Sequence, residues 1–259
     1  MERRLEDDYP LDDPFRLGYR IQVLEPGGEI EWIPLTADDL LDPQPNFESC
    51  QDGPHSSMLV NLYEMLKRHF KGQDALVLPV MKLIWHIPGL PEPAPDIAII
   101  RGIRELEDHD QWYFDVIETG IRPSLIIEIA IMLDPEARQN DYDKKVEIYE
   151  RAGIPEYLII APATHLTDNR LVLTGYRLGG DGRYQQIDPD TEGRLLFRSV
   201  DLSFGVAEDE RTLQIFEFGR RILTGSELEA ALKAEEARAA AVEAELAQLR
   251  AELELLKGR

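Results

Sequence analysis

Three short stretches of the chain carry side chains that could do chemistry together. "PAPDIAII" places Asp96 directly before four apolar residues. "SLIIEIAIML" holds Glu128 in an otherwise apolar or small run, and "DYDKKVEIYERAG" opens with Asp141, Lys144 and Lys145. An ionised carboxylate surrounded by hydrocarbon is costly unless something pairs with it. Two carboxylates meeting at one point hold Mg²⁺ or a similar hard cation, and the metal removes that cost. A lysine beside them neutralises charge developing on a phosphate or orients a water. Acid, acid and lysine around a metal suit hydrolysis of a phosphodiester.

Plainer roles stay open for each residue. Asp96 follows a proline and could cap a turn. Glu128 could be neutral, or paired with Arg122. Lys144 and Lys145 could lie on a solvated helix face, their stems covering apolar surface. Their order along the chain is harder to dismiss than any one of them.

The elements that must position these groups are legible from the patterning. The run around Glu128 is too short to cross a membrane and reads as a strand covered on both faces. Pro95 keeps the chain extended into the strand that follows Asp96. Val146, Tyr149 and Ala152 mark one helix face, ended by Gly153 and Pro155. "EYLIIAP" is the next strand, so strand, helix and strand form a crossover unit with parallel strands. Upstream, Met58, Leu59, Leu62, Met65, Leu66 and Phe70 recur at helical spacing, with Ser56 as cap and Gly72 beyond the end. "ALVLPV", "KLIWHI" and "DIAII" read as strands, and the polar section after them as a loop with one short helix. "RLVLTGYRL", "GRYQQI" and "GRLLFRS" read as antiparallel strands joined by glycine turns. The sum is an α/β domain with a mixed sheet, expected over residues 51–224.

Residues 1–50 carry thirteen acidic and four basic side chains. They read as an irregular arm with one hairpin, turning at Gly27-Gly28. From residue 225 the chain becomes rich in Ala, Glu and Leu. Leu228, Leu232, Val242, Leu246, Leu249, Leu253 and Leu256 follow a heptad spacing, with Glu235 and Ala239 in the weak positions. In that register Arg238 and Glu243, Glu245 and Arg250, and Glu252 and Lys257 become interchain pairs of opposite sign. A parallel coiled coil between identical chains, giving a homo-oligomer such as a dimer, is expected. The plainer reading is one amphipathic helix packed on its own domain.

Composition limits the partners. The net charge is −22 in 259 residues, which opposes sequence-independent phosphate binding through Lys and Arg. A nucleic-acid substrate therefore needs bound cations or a local basic strip to offset the field. The single cysteine, Cys50, suits a reducing compartment. No apolar stretch follows the N-terminal arginines, so a soluble cytoplasmic protein is expected.

The stretch "APDIAII … RPSLIIEIAIMLDPEARQNDYDKKVEIYERAGIPEYLII" resembles the Uma-two family, restriction-endonuclease-like members of the PD-(D/E)xK nuclease superfamily. The similarity is densest over residues 95–160. It implies a restriction-endonuclease-like αβββαβ core, cleavage of nucleic acid (DNA before RNA), and Mg²⁺ or Mn²⁺ held by the acids. Asp96 matches the motif's first acid and Glu128 its second. Asp141 and Lys145, with Tyr149 four residues later, match the family's helix pattern. Three positions depart from the pattern. The superfamily lysine stands two residues after the second acid, where this chain has Ala130, and Lys145 is the candidate to replace it. "IAIMLDPEA" replaces a serine-containing turn after the glutamate. Leu158 and Ala161 stand where the family tends to carry Trp and Asp. The rival expectation is a catalytically silent scaffold of the same fold that self-associates through its tail. His55 precedes the first helix, where members of that family often carry a histidine that could contact substrate, but an exposed or capping histidine is expected. Trp85 and Trp112 are expected to pack in core or loop and not to stack on bases. None of the three is assigned a role.

Overall fold

A computed structural model describes residues 13–23, 30–49, 53–105, 112–130, 135–162 and 170–257. It divides into two units, one reaching Ile222 and one starting at Leu223.

The first unit opens with β1 (Gly18–Val23) and β2 (Ile30–Pro34), paired antiparallel from Tyr19↔Pro34 to Val23↔Ile30. A third strand, β3 (Phe47–Ser49), pairs with the other edge of β1. The hairpin expected in the N-terminal arm is thus present as β1 and β2, and β3 extends it to a small sheet where irregular chain was expected. Its third strand is only three residues long, too short to show alternation, and the turn expected at Gly27-Gly28 lies outside the described residues.

Helix α1 (Gly53–His69) buries Leu59, Leu62, Met65 and Leu66, the apolar stripe seen in the sequence. There follow β4 (Ala75–Pro79), β5 (Lys82–Ile84), β6 (Ile97–Arg101), β7 (Tyr113–Asp115), α2 (Val116–Thr119) and β8 (Leu125–Ile129). Next come α3 (Pro135–Tyr142), α4 (Lys144–Arg151), β9 (Glu156–Pro162), β10 (Leu171–Leu178) and β11 (Tyr184–Gln186). The central sheet runs β11-β10-β9-β8-β6-β4. Only β8 and β9 in it are parallel, as the intervening helices require. β5 leaves this sheet and pairs in parallel with β7. The polar section after β6 therefore carries a strand as well as the expected short helix. Asp115 caps that helix, accepting the amides of Ile117 and Glu118.

Every residue of β8 is buried. Leu125, Ile127 and Ile129 face the cluster built with α1. Ile126 and Ala130 face a second cluster, which contains Trp85, Ile148, Tyr149 and Tyr157. Strand alternation assigns Glu128 to that second face.

β12 (Leu195–Phe197), β13 (Leu202–Val206), β14 (Leu213–Glu217) and β15 (Arg220–Ile222) form a separate antiparallel sheet. It packs close to β10 at Gly175, where a Cβ would stand 3.0 Å from Phe197 and 3.2 Å from Leu195. Gly175→Ala should destabilise the protein by about 1–3 kcal/mol through overpacking. Urea unfolding would read this as a lower midpoint at unchanged slope. An unchanged midpoint would mean that the two side chains give way freely.

The second unit is one helix, α5 (Gly225–Lys257). Thr224 and Glu227 start it as a capping box. The Glu227 amide donates to the Thr224 hydroxyl, and the Thr224 amide to the Glu227 carboxylate. The heptad residues from Leu228 to Leu256 are exposed, between 39% and 72%. Among the described residues no helix is long and apolar enough to cross a membrane.

Candidate active site

The register of β6 on β8 makes Ile97 and Ile127 partners. The next pair outward is Asp96 and Glu128, and strand alternation turns both toward α4. Asp96 is held from several sides. The Ile129 amide donates to its Oδ2 at 2.7 Å, and His55 at the start of α1 brings Nε2 to within 3.1 Å of the carboxylate. The Asp96 amide points in turn at Glu128 Oε2, 3.4 Å away. Asp96 is therefore bound to the neighbouring strand and does not cap a turn.

On the helical side, Asp141 ends α3 while Lys145 and Tyr149 lie in α4. Spacings of four put the three on one face. Lys145 Nζ stands 2.8 Å from Asp141 Oδ1 and 3.0 Å from Glu128 Oε1. The Tyr149 hydroxyl donates to the same Oε1 at 2.7 Å. Glu128 thus finds its partners on α4 and not in Arg122. Lys144 turns outward and pairs with Asp38. The four residues singled out from the sequence, Asp96, Glu128, Asp141 and Lys145, come together at one place. His55 and Tyr149 join them. The position of Tyr149, four after Lys145, was a usable signal. His55 lies 41 residues before Asp96, and no local pattern connects them.

Burial dominates the electrostatics. Glu128 is 2% exposed, Asp141 4% and Asp96 7%. Removal from water pushes the Glu128 carboxyl up to about 8; Lys145 opposes the rise, and Asp96 and Asp141 add to it. Burial raises Asp141 as well. Burial works against the Lys145 ammonium, but Asp141, Glu128 and Asp96 outweigh it and hold its pKa above the ordinary lysine value. Lys145 is charged at neutral pH, while Tyr149, raised by burial, stays a neutral donor.

Among the described residues no three metal-binding side chains form a ready cluster. Mg²⁺ does not need one, because it is commonly held by one or two carboxylates plus waters. Asp96 and Glu128 supply two on one face, and both open on a cavity of about 440 Å³ that Asp141, Lys145 and His55 also line. These residues fit a small hard cation. Ala130, in the superfamily's lysine position, is fully buried and donates its amide to Ile160. The nearest ammonium to Glu128 comes instead from α4. Leu158 and Ala161 are core residues, and residues 131–134 lie outside the described ones.

The outer wall of the cavity comes from the N-terminal segment, through Leu35, Leu40, Pro43 and Phe47. Three ties hold it. Asn140 donates to the Ala37 carbonyl at 3.0 Å. Lys82 donates to Asp42 at 2.6 Å and to the Pro43 carbonyl at 3.0 Å, and Lys144 pairs with Asp38. Leu35 and Ala37 bury the small side chain of Ala137 on α3.

Comparison with known proteins gives two findings. The family model Uma2, described as "Putative restriction endonuclease", matches residues 46–209. Among solved structures, the chain is similar to a "putative nuclease belonging to DUF820" from Anabaena variabilis, at 17% identity and a TM-score of 0.42. That similarity covers 64% of this chain and 91% of the other. No curated protein matches.

Proposed function

Since the chain belongs to the Uma2 family ("Putative restriction endonuclease"), we propose that it is a divalent-metal-dependent endonuclease that hydrolyses phosphodiester bonds, DNA before RNA. Proteins of this restriction-endonuclease-like class generally use divalent metals. The observation that carries the reading is one ammonium, Lys145, 3.0 Å from Glu128 on the face shared with Asp96. It supplies the cation that Ala130 does not.

In this reading Asp96 and Glu128 are the ligands of Mg²⁺ or Mn²⁺, and the metal supplies charge neutralisation and a more acidic water. Lys145 would neutralise charge that builds on the phosphate oxygens as a water oxygen adds to phosphorus and one P–O ester bond breaks, the departing oxygen taking a proton from solvent. Asp141 keeps the ammonium aimed at that point. His55 and the Ile129 amide fix the Asp96 carboxylate, and Tyr149 fixes one oxygen of Glu128. The test is a strand-nicking assay with and without Mg²⁺ or Mn²⁺, beside calorimetric titration of the same cations.

One observation favours a second reading. Lys145 bridges both Glu128 and Asp141, so the buried acids share a cationic partner without any metal. A silent scaffold needs no more than that. Absence of cation binding in a folded wild type, with no nicking, selects it.

For α5 we propose a parallel homodimer. Its exposed heptad leucines are the observation, and the helix they lie on belongs to a unit of its own. Sedimentation equilibrium should give twice the chain mass of 29.6 kDa. Leu246→Asp together with Leu253→Asp should return the monomer mass, because charges in the seam are not tolerated. A wild-type mass equal to one chain would end this reading. With one cysteine in the chain, the reducing cytoplasm is the compartment we propose.

A further inference from the structure

We propose that the substrate of this site is an unpaired nucleotide of a single strand, and that Trp112 is the platform on which its base stacks. This rests on the nuclease reading above and narrows it.

The first observation is access. Asp96 and Glu128, 7% and 2% exposed, line a cavity of about 440 Å³ whose lining also includes Leu35, Leu40, Pro43 and Phe47 of the N-terminal segment. Pockets of roughly 300–1,000 Å³ are the size that accepts a small molecule. A duplex is a rod whose major groove alone is about 12 Å wide. It cannot bring a backbone phosphate to these carboxylates while the segment stays in place. One nucleotide, free of its partner strand, can.

The second observation is the wall. Trp112 lines the same cavity and remains 44% exposed. Two neighbours contact its ring. The Lys82 ammonium stands 5.7 Å from its ring centroid, and Tyr113 meets it edge-on at 5.7 Å. Lys82 is itself buried and bound to Asp42 and Pro43 of the covering segment. An indole flanked this way, with surface left open beside two candidate metal ligands, has the properties of a stacking platform.

The third observation is charge. Duplex binding draws its affinity from Lys and Arg along the phosphates. Here the chain carries −22, and the two cavity lysines are engaged by carboxylates. A single strand also draws on basic contacts, but stacking on an aromatic face adds affinity beyond them and tolerates any base sequence.

The experiment uses the full chain in Mg²⁺ and one sequence presented as a single strand and as a blunt duplex. The single strand should be cut with a kcat/KM at least about ten-fold higher. Trp112→Ala should raise KM for the single strand about ten-fold, the loss of one base stack, with kcat changed less than about two-fold. Trp112→Phe should restore most of it. Equal or faster cutting of the duplex overturns the inference and leaves the nuclease reading standing. So does an unchanged KM in a Trp112→Ala protein that melts like wild type. Should Trp112→Ala fold poorly, Trp112→Leu gives the same comparison with the apolar contact kept. If neither substrate is cut, and a fluorescent single strand shows no binding by anisotropy in Ca²⁺, the nuclease reading and the inference fall together.

Discussion

Glu128→Gln is expected to lower metal-dependent strand cleavage by about 10³-fold or more, and to abolish the calorimetric signal of Mg²⁺ or Mn²⁺. The magnitude follows from removing one of the two carboxylates proposed as ligands, in a site where charge stabilisation supplies most of the rate. Gln keeps the shape and can still accept from Tyr149 and Lys145, so the fold has little reason to suffer. The raised pKa supports this. A carboxyl pushed up to about 8 by burial is destabilising in its ionised form, and the neutral amide avoids that cost at pH 8 and above. The variant should therefore melt no lower than the metal-free wild type there. Wild-type cleavage in a well-folded Glu128→Gln protein would remove Glu128 from the chemistry. Asp96→Asn should behave alike in activity.

Lys145→Met should cost about 3–5 kcal/mol of stability at pH 8 and above, and much less near pH 5. Removing one partner of a buried ion pair leaves uncompensated charge, here on both Glu128 and Asp141. The sign of the pH dependence follows from the directions of the shifts. Both carboxyls have folded-state pKa values above their ordinary ones, so the folded protein binds protons that the unfolded chain releases. That contribution to stability is complete below the ordinary values, 4.5 for Glu128 and 3.8 for Asp141, and is lost as pH rises, for Glu128 through about 8. Without Lys145 the strongest opposition to the rise is gone, leaving only Tyr149 at Glu128 and His55 at Asp141, and the loss at high pH deepens. Urea midpoints across pH 5 to 9 would show the gap between wild type and variant widening with pH. A gap that stays constant would place the damage in lost packing of the lysine stem, not in charge.

Much of the site was legible because its signals are local. A proline before Asp96, an acid inside a doubly covered strand, and an aspartate four residues before a lysine can each be read within ten residues of chain. Pairing of the strands could be guessed, and the β6–β8 register then puts the two acids side by side. What the sequence did not disclose depends on distant contact. His55 reaches Asp96 only because α1 crosses toward the end of β6. β5 reads as one more strand of the central sheet, yet its partner is β7, beyond β6. β13 to β15 escaped because short strands with glycine and charges interspersed carry little periodicity. Trp112 sits in a polar stretch, and only the fold shows that it borders the carboxylates. The tail's helix was read correctly from its spacing; whether its seam pairs with a second chain is a question for the centrifuge.

The three ties of the covering segment have a practical side for anyone trimming or comparing these proteins. The family match begins at residue 46, after Ala37, Asp38 and Asp42 have already made their contacts. A protein cut at that boundary would keep both candidate metal ligands and Phe47, and lose Leu35, Leu40 and Pro43 from the cavity wall. Lys82, buried at 6%, would lose its carboxylate and carbonyl partners and be left with an unmatched charge. Ala137 would lose its cover, and a carboxylate pair that had been screened would face solvent. The candidate metal ligands and the segment proposed to limit access to them thus lie on different parts of the chain. Two relatives with the same acids and the same lysine can differ in what they admit, through a prefix that no motif search of the core would compare.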